Sequence, residues 1–246
     1  MVTLSVNLNK VATLRNSRGG TTPSLLEALG VVLEAGAPGV TVHPRQDERH
    51  ITRKDVHDLA AALSDKREQV EFNVEGDPRP DLIELVCSTR PHQCTLVPVR
   101  PGEVTSEAGW DPTQPTGDLM QVVQRLQRAG IRVSVFVDPD ASAIRWAQAT
   151  GADRVELYTE PYARAFEQGL TAARLSLAQY ADAARLAGEL GLGVNAGHDL
   201  DLTNLPLFRE LPHLTEVSIG HALISHALYV GLDRAVRDYL AVLSDA

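Results

Sequence analysis

Eight short runs rich in Val, Ile, Leu and Thr recur along these 246 residues, and a helix-like segment follows each of them. They are Leu4–Asn9, Gly39–His43, Gln69–Glu75, Gln93–Pro98, Arg132–Asp138, Arg154–Thr159, Leu192–Ala196 and Glu216–Gly220. Each is mostly apolar, which suits strands buried on both faces. Two parallel strands need a crossover between them, normally a helix, so this alternation restricts the chain to parallel α/β architectures.

The intervening segments carry helical stripes. Ser24–Ala35 repeats Leu25, Leu26, Leu29, Val32 and Leu33, with Pro23 just ahead as a helix start. Thr52–Leu63 places Val56, Leu59, Ala60 and Leu63 at the same spacing, with Thr52 as N-cap and Asp55 in the capping-box position. Pro80–Cys87, Asp118–Ala129, Ala141–Thr150 and Thr171–Leu190 repeat the theme, and Gly36, Gly130, Gly151 and Gly191 stand where helices end. Two architectures fit: an open doubly wound sheet and a closed (β/α)8 TIM barrel. The even spacing, a first strand near residue 4 and a last helix near the C-terminus favour the barrel, as one domain over residues 1–246. The Pro- and Gly-rich stretch Arg100–Thr116 and the segment Tyr158–Gly169 are candidate lids.

A formal net charge of -9 argues against a general nucleic-acid surface. No run of about 18 apolar residues suggests a membrane span, and the first residues read as a strand rather than a secretory signal. With only Cys87 and Cys94, the expectation is a cytoplasmic protein with reduced thiols, although a disulfide between them is an alternative.

Ionisable residues stand just past the strand ends, where parallel α/β proteins build their sites: His43, Glu75, His198 and His221. His43 opens a dense stretch with Arg45, Arg49 and His50, the pattern of anion binding beside an acid/base group. Asn7 and Asn9 share one side of the first strand, and the following Arg15 and Arg18 read as a loop that grips an anion or as solvated charge. A carboxyl half-buried at a barrel mouth, as Glu75 would be, titrates nearer neutrality. Glu71 is a weaker candidate, and Glu156, inside an apolar strand, needs a partner such as a mouth histidine or arginine. Asp138 and Asp140 look like helix caps. The Gly-His pairs at 197–198 and 220–221 suit phosphate binding by backbone N–H groups at the seventh and eighth strands. His57, His92, His213 and His226 read as structural or solvated.

Five ungapped blocks carry a resemblance: Ser5–Gly19, Gly39–Thr52, Glu71–Gly76, Val194–Leu200 and Val217–Ile224. With them the chain resembles, over essentially its whole length, the pyridoxine 5′-phosphate synthase family of the deoxyxylulose-dependent vitamin B6 pathway. The resemblance implies a (β/α)8 barrel with extra helices, assembly into homo-oligomers (often octamers), and no metal or organic cofactor. It implies condensation of 3-amino-2-oxopropyl phosphate with 1-deoxy-D-xylulose 5-phosphate, giving pyridoxine 5′-phosphate, phosphate and water. By matching position, proton transfer falls to His43, Glu75 and His198. The aminoketone phosphate falls to Asn7, Arg18, Asp199, Gly220 and His221, and the deoxyxylulose phosphate to Asn9, Lys10, Arg45, His50 and Thr105. The chain departs from the commoner pattern in Asn9-Lys10, where many members have Asp-His, and in Asp199, where many have Gly. The stretch Asp65–Glu68 looks like a surface insertion.

A residue reading without the resemblance leaves rivals open. They are a metal-dependent hydrolase or isomerase using the mouth histidines and Glu75, a lyase using Lys10 as Schiff-base nucleophile, and a non-catalytic binder of phosphate ligands.

Overall fold

A computed structural model describes residues 2–98 and 106–244. Eight parallel strands close into a barrel in sequence order: β1 (Thr3–Asn7), β2 (Gly39–Val42), β3 (Glu71–Gly76), β4 (Gln93–Leu96), β5 (Arg132–Val137), β6 (Arg154–Tyr158), β7 (Gly193–Gly197) and β8 (Leu214–Ile219). β8 pairs with β1 to complete the ring, so the open doubly wound alternative is excluded. Around it lie α1 (Asn9–Asn16), α2 (Leu25–Glu34), α3 (Arg53–Ala62), α4 (Pro80–Thr89), α5 (Gly117–Arg128), α6 (Ala141–Ala149), α7 (Glu160–Glu167), α8 (Leu170–Glu189), α9 (Leu205–Phe208), α10 (His221–Val230) and α11 (Leu232–Ser244). Among the described residues no helix is long and apolar enough to cross a membrane.

The strands are not apolar on both faces. Val6, Val40, Val42, Val74, Leu96, Val135, Leu157, Ala196 and Val217 are buried against the helices. Ser5, Thr41, Asn73, Gln93, Thr95, Ser134, Glu156, Asn195, Glu216 and Ser218 alternate with this apolar set and are buried too. This alternate set meets across the barrel interior: Ser5 and Thr41 hydroxyls lie 2.7 Å apart, and Asn195 Nδ2 donates to Glu216 Oε1 at 3.1 Å and to Gln93 Oε1 at 3.3 Å. Most barrels fill this space with branched aliphatics; here it is a hydrogen-bonded polar lumen. At its lower end Arg132 pairs with Glu71, which therefore sits away from the mouth.

Local signals explain most helix boundaries. Thr52 and Asp55 form the reciprocal capping box, and Asp140 Oδ1 accepts from Ser142 and Ala143 N–H at 2.9 Å. His92 Nδ1 accepts from Phe72 N–H at 2.9 Å, and His226 pairs with Asp238 at 3.0 Å, both structural roles. Both cysteines are free.

Three expectations are corrected. The first strand stops at Asn7, whose Oδ1 accepts the Asn9 N–H at 3.0 Å and turns the chain into α1. Arg15 is therefore helical. It makes a two-pronged bridge to Asp55 at 2.6 and 2.8 Å, so it fastens α1 to α3 and does not grip an anion. The candidate lid Tyr158–Gly169 is largely α7, anchored by fully buried Tyr162, whose hydroxyl donates to Asn204 O at 2.8 Å. Of the other candidate lid, residues 100–105 lie outside the described residues. The remainder is tied to β4 and β5 by Trp110, whose N–H donates to Phe136 O and whose Nε1 donates to Leu96 O.

Candidate active site

The carboxyl ends of the strands open into a cavity of about 320 Å³. His43, Glu75 and His198, delivered by β2, β3 and the segment after β7, all line it. So do Asn7, Asn9, Lys10, Arg45, His50, Asp199, Gly220 and His221. Arg18 does not: it is exposed in the turn after α1. Thr105 lies outside the described residues, while its neighbour Ser106 is buried and lines the cavity.

The mouth is held from behind by backbone contacts. Asn9 Oδ1 accepts the His43 N–H at 2.9 Å, which ties the start of α1 to the end of β2. Arg79 Nη2 donates to Pro44 O at 2.8 Å while its guanidinium also pairs with Asp77 and Asp81, which fixes the segment carrying His43 and Arg45. His50 Nδ1 accepts from Ile51 N–H at 2.9 Å, so its other ring nitrogen bears the proton of the neutral form. The His198 ring packs between Phe136 and Tyr158, centroids 5.1 and 5.4 Å away.

His43 and Glu75 are 5 % and 7 % exposed, with Nδ1 to Oε2 at 3.7 Å. That is beyond a hydrogen bond, so neither is committed to the other. Among the described residues, His43 Nε2 is buried without a partner. Burial drives His43 well below the ordinary imidazole value, and the positive charges of Arg45 and the neighbouring imidazoles push the same way. Burial raises Glu75 well above the ordinary carboxyl value, reinforced by Glu156 and Glu216 and opposed by Arg45 and a hydrogen bond from Ser218. His50 and His198 are lowered to about 4, first by burial and next by Arg45.

Glu156 belongs to this group as well, a placement that residue type and spacing alone do not make. It lines the cavity, its Oε2 has no partner among the described residues, and burial raises it to about 7. Its hydrogen-bonding neighbour is the Thr95 hydroxyl rather than a histidine or arginine. The period-two alternation of polar residues in β6 was the signal that could have placed it. A Cβ at Gly197 would lie 2.5 Å from Glu156 Oε1, so a larger residue there would displace the carboxyl from its present position.

The lining holds two anion-attracting features. One is the cluster of Lys10, Arg45 and His50. The other is the start of α10, which follows Gly220 with no side-chain cap, so its first N–H groups and helix dipole face the cavity at His221 and Ala222. Asp199 lies near the second, its carboxyl raised by burial and Glu160 and drawn back down by His221, Arg164 and Lys10. The same lining thus holds two imidazoles that burial keeps neutral and two carboxyls whose ionisation burial opposes, which is equipment for repeated proton transfer.

Solved structures share the architecture. A 3-hexulose-6-phosphate synthase covers 99% of this chain and 100% of its own with TM-score 0.64 at 13% identity. A thiamine phosphate pyrophosphorylase from Pyrococcus furiosus gives 0.62 at 12% identity, covering 99% of this chain and 96% of its own. At such identities they show the barrel alone. The sequence relatives are more specific. The pyridoxine 5′-phosphate synthase of Bacteroides fragilis is 52% identical over 240 residues, 97% of this chain and 98% of the relative. That of Flavobacterium johnsoniae is 50% identical over 244 residues, 99% of this chain and 100% of the relative. The family model described as pyridoxal phosphate biosynthesis protein PdxJ matches residues 4–245, and the chain belongs to that family.

Proposed function

We propose that the chain is a pyridoxine 5′-phosphate synthase that condenses 3-amino-2-oxopropyl phosphate with 1-deoxy-D-xylulose 5-phosphate. The products are pyridoxine 5′-phosphate, phosphate and water. The observation that carries this reading is one cavity lined together by His43, Glu75, Glu156 and His198, a Lys10/Arg45/His50 cluster and the α10 N-terminus. A substrate pair with a phosphate on each partner suits a lining with two anion-attracting features, and the C–N and C–C bond formation, the loss of phosphate and the dehydrations each require proton transfers that these groups can carry. Holding both phosphates aligns amine and ketone, which supplies much of the rate.

Glu75 takes the proton from carbon during enamine formation; a carboxyl of raised pKa is a stronger base once ionised. His43, whose Nε2 is buried without a partner among the described residues, shuttles protons at the hydroxyls derived from the deoxyxylulose partner. His198 donates to a departing oxygen after phosphate binding has raised its proton affinity. The protein works as a cytoplasmic homo-oligomer. Leu228, Tyr229 and Val230 at the end of α10, with Tyr229 89 % exposed, support self-association. The test of the activity is incubation with both phosphates, following pyridoxine 5′-phosphate by absorbance and released phosphate by assay. Absence of both products with folded protein would refute it.

A further inference from the structure

The segment after β7 adopts a backbone that side chains rarely take: φ is 82° at His198 and 57° at Asp199. Left-handed residues other than glycine each cost roughly 1 kcal/mol or more and persist where the surroundings over-determine them. Two buried side chains do so here. The hydroxyl of Thr159, fully buried just past β6, donates at 2.6 Å to Gly197 O and shares its hydrogen with His198 O. Asn204, 4 % exposed, donates from Nδ2 to Asp199 O at 3.0 Å, while its Oδ1 accepts the Asp201 N–H at 2.9 Å. Three successive carbonyls are thereby drawn toward two clamps.

Peptide planarity settles what the opposite edges do. The N–H groups of His198, Asp199 and Leu200 lie anti to the carbonyls of Gly197, His198 and Asp199. None of the three finds a backbone acceptor among the described residues, and all three residues line the cavity. Consecutive unpaired N–H groups on such a turn form an anion-binding concavity.

We infer that Thr159 and Asn204 are positioning residues. They hold the carbonyls of residues 197–199 outward, so that the His198 imidazole and the adjoining N–H groups are presented to a phosphate ester. The catalytic part of this inference rests on the synthase reading; the anion-orienting part stands without it.

Thr159→Val removes the hydroxyl at nearly constant size, Thr159→Ser keeps it, and Asn204→Asp replaces the donor by an acceptor facing Asp199 O. Each variant is measured for kcat, KM for both phosphates and affinity for inorganic phosphate by calorimetry, with near-ultraviolet circular dichroism reporting the fold. Loss of one such bond predicts about a tenfold fall in kcat and in phosphate affinity for Thr159→Val and Asn204→Asp. Thr159→Ser should stay within about threefold of the unaltered protein. Folded Thr159→Val and Asn204→Asp with unaltered kcat and phosphate affinity would overturn the inference. So would a Thr159→Ser as impaired as Thr159→Val, since packing would then be the whole role. If Thr159→Val does not fold, Asn204→Asp beside Thr159→Ser decides by the same criteria. If the unaltered protein makes no pyridoxine 5′-phosphate, the synthase reading falls. Phosphate affinity then still decides the clamp: weakened in the variants it stands, unchanged it fails.

Discussion

At His43 and Glu75 one cause acts on two groups of opposite charge type. Burial disfavours the ionised form of each, so an imidazole and a carboxyl 3.7 Å apart are both drawn toward neutrality. Glu75→Gln keeps the shape and deletes the base, so turnover should fall by about 10² or more. Inorganic phosphate should bind within about threefold of the unaltered protein, because no anion ligand is lost. Stopped assays for pyridoxine 5′-phosphate together with calorimetry check both; near-normal turnover would remove Glu75 from its role. His198 carries a second residue-scale expectation. Lowered to about 4 by burial and Arg45, it should regain protons when a phosphate dianion brings negative charge nearby. Imidazole NMR titration with and without saturating inorganic phosphate should show its pKa moving up; an unchanged value places no anion within reach.

Among the elements, α3 was readable and α1 was not. Thr52 and Asp55 are three apart ahead of a strong stripe, and the box forms as its residue types require. Helix α1 buries only Val11 and Ala12, and its start depends on Asn7 turning back to the Asn9 N–H, so nothing in the spacing separated it from a strand end and a basic loop. Its link to α3 is the Arg15–Asp55 bridge. Asp55 is held below its ordinary value by Arg15 and Thr52 against the opposing effect of burial, so removing Arg15 leaves a buried carboxylate short of a partner. Arg15→Ala should destabilise the fold by roughly 1–3 kcal/mol, discounted for partial exposure. Urea unfolding at pH 7 measures it, and a loss below about 0.5 kcal/mol would mean that solvent replaces the bridge.

For the whole molecule, the polar lumen makes stability depend on pH. Glu216 is raised to about 8 from 4.5, first by burial and then by Glu71 and Glu156, with Arg154 and Arg132 opposing. The folded state therefore holds a proton that the unfolded chain gives up above about pH 4.5. More protons in the folded state mean stability that falls as pH rises through this window. Glu216→Gln retains an oxygen to accept from Asn195 and cannot ionise, so its stability should decline less between pH 5 and pH 9, by on the order of 2 kcal/mol. Urea midpoints at the two pH values test this, and parallel pH profiles for both proteins would contradict it.

By itself the sequence determined the eight-fold strand–helix alternation, the capping signals and the set of ionisable residues at strand ends. These are local matters of residue type and spacing, and a closed parallel barrel must carry strand-end residues to one rim. Only the tertiary structure decided that Arg15 pairs inward while Arg18 stays at the surface, because partner choice depends on segments such as α3 that are distant in the chain. It also decided that Glu156 joins Glu75 at the cavity and that Thr159 and Asn204 grip the His198 segment. Burial and hydrogen-bond geometry are properties of the assembled fold, and they set which of these polar groups carry protons at neutral pH.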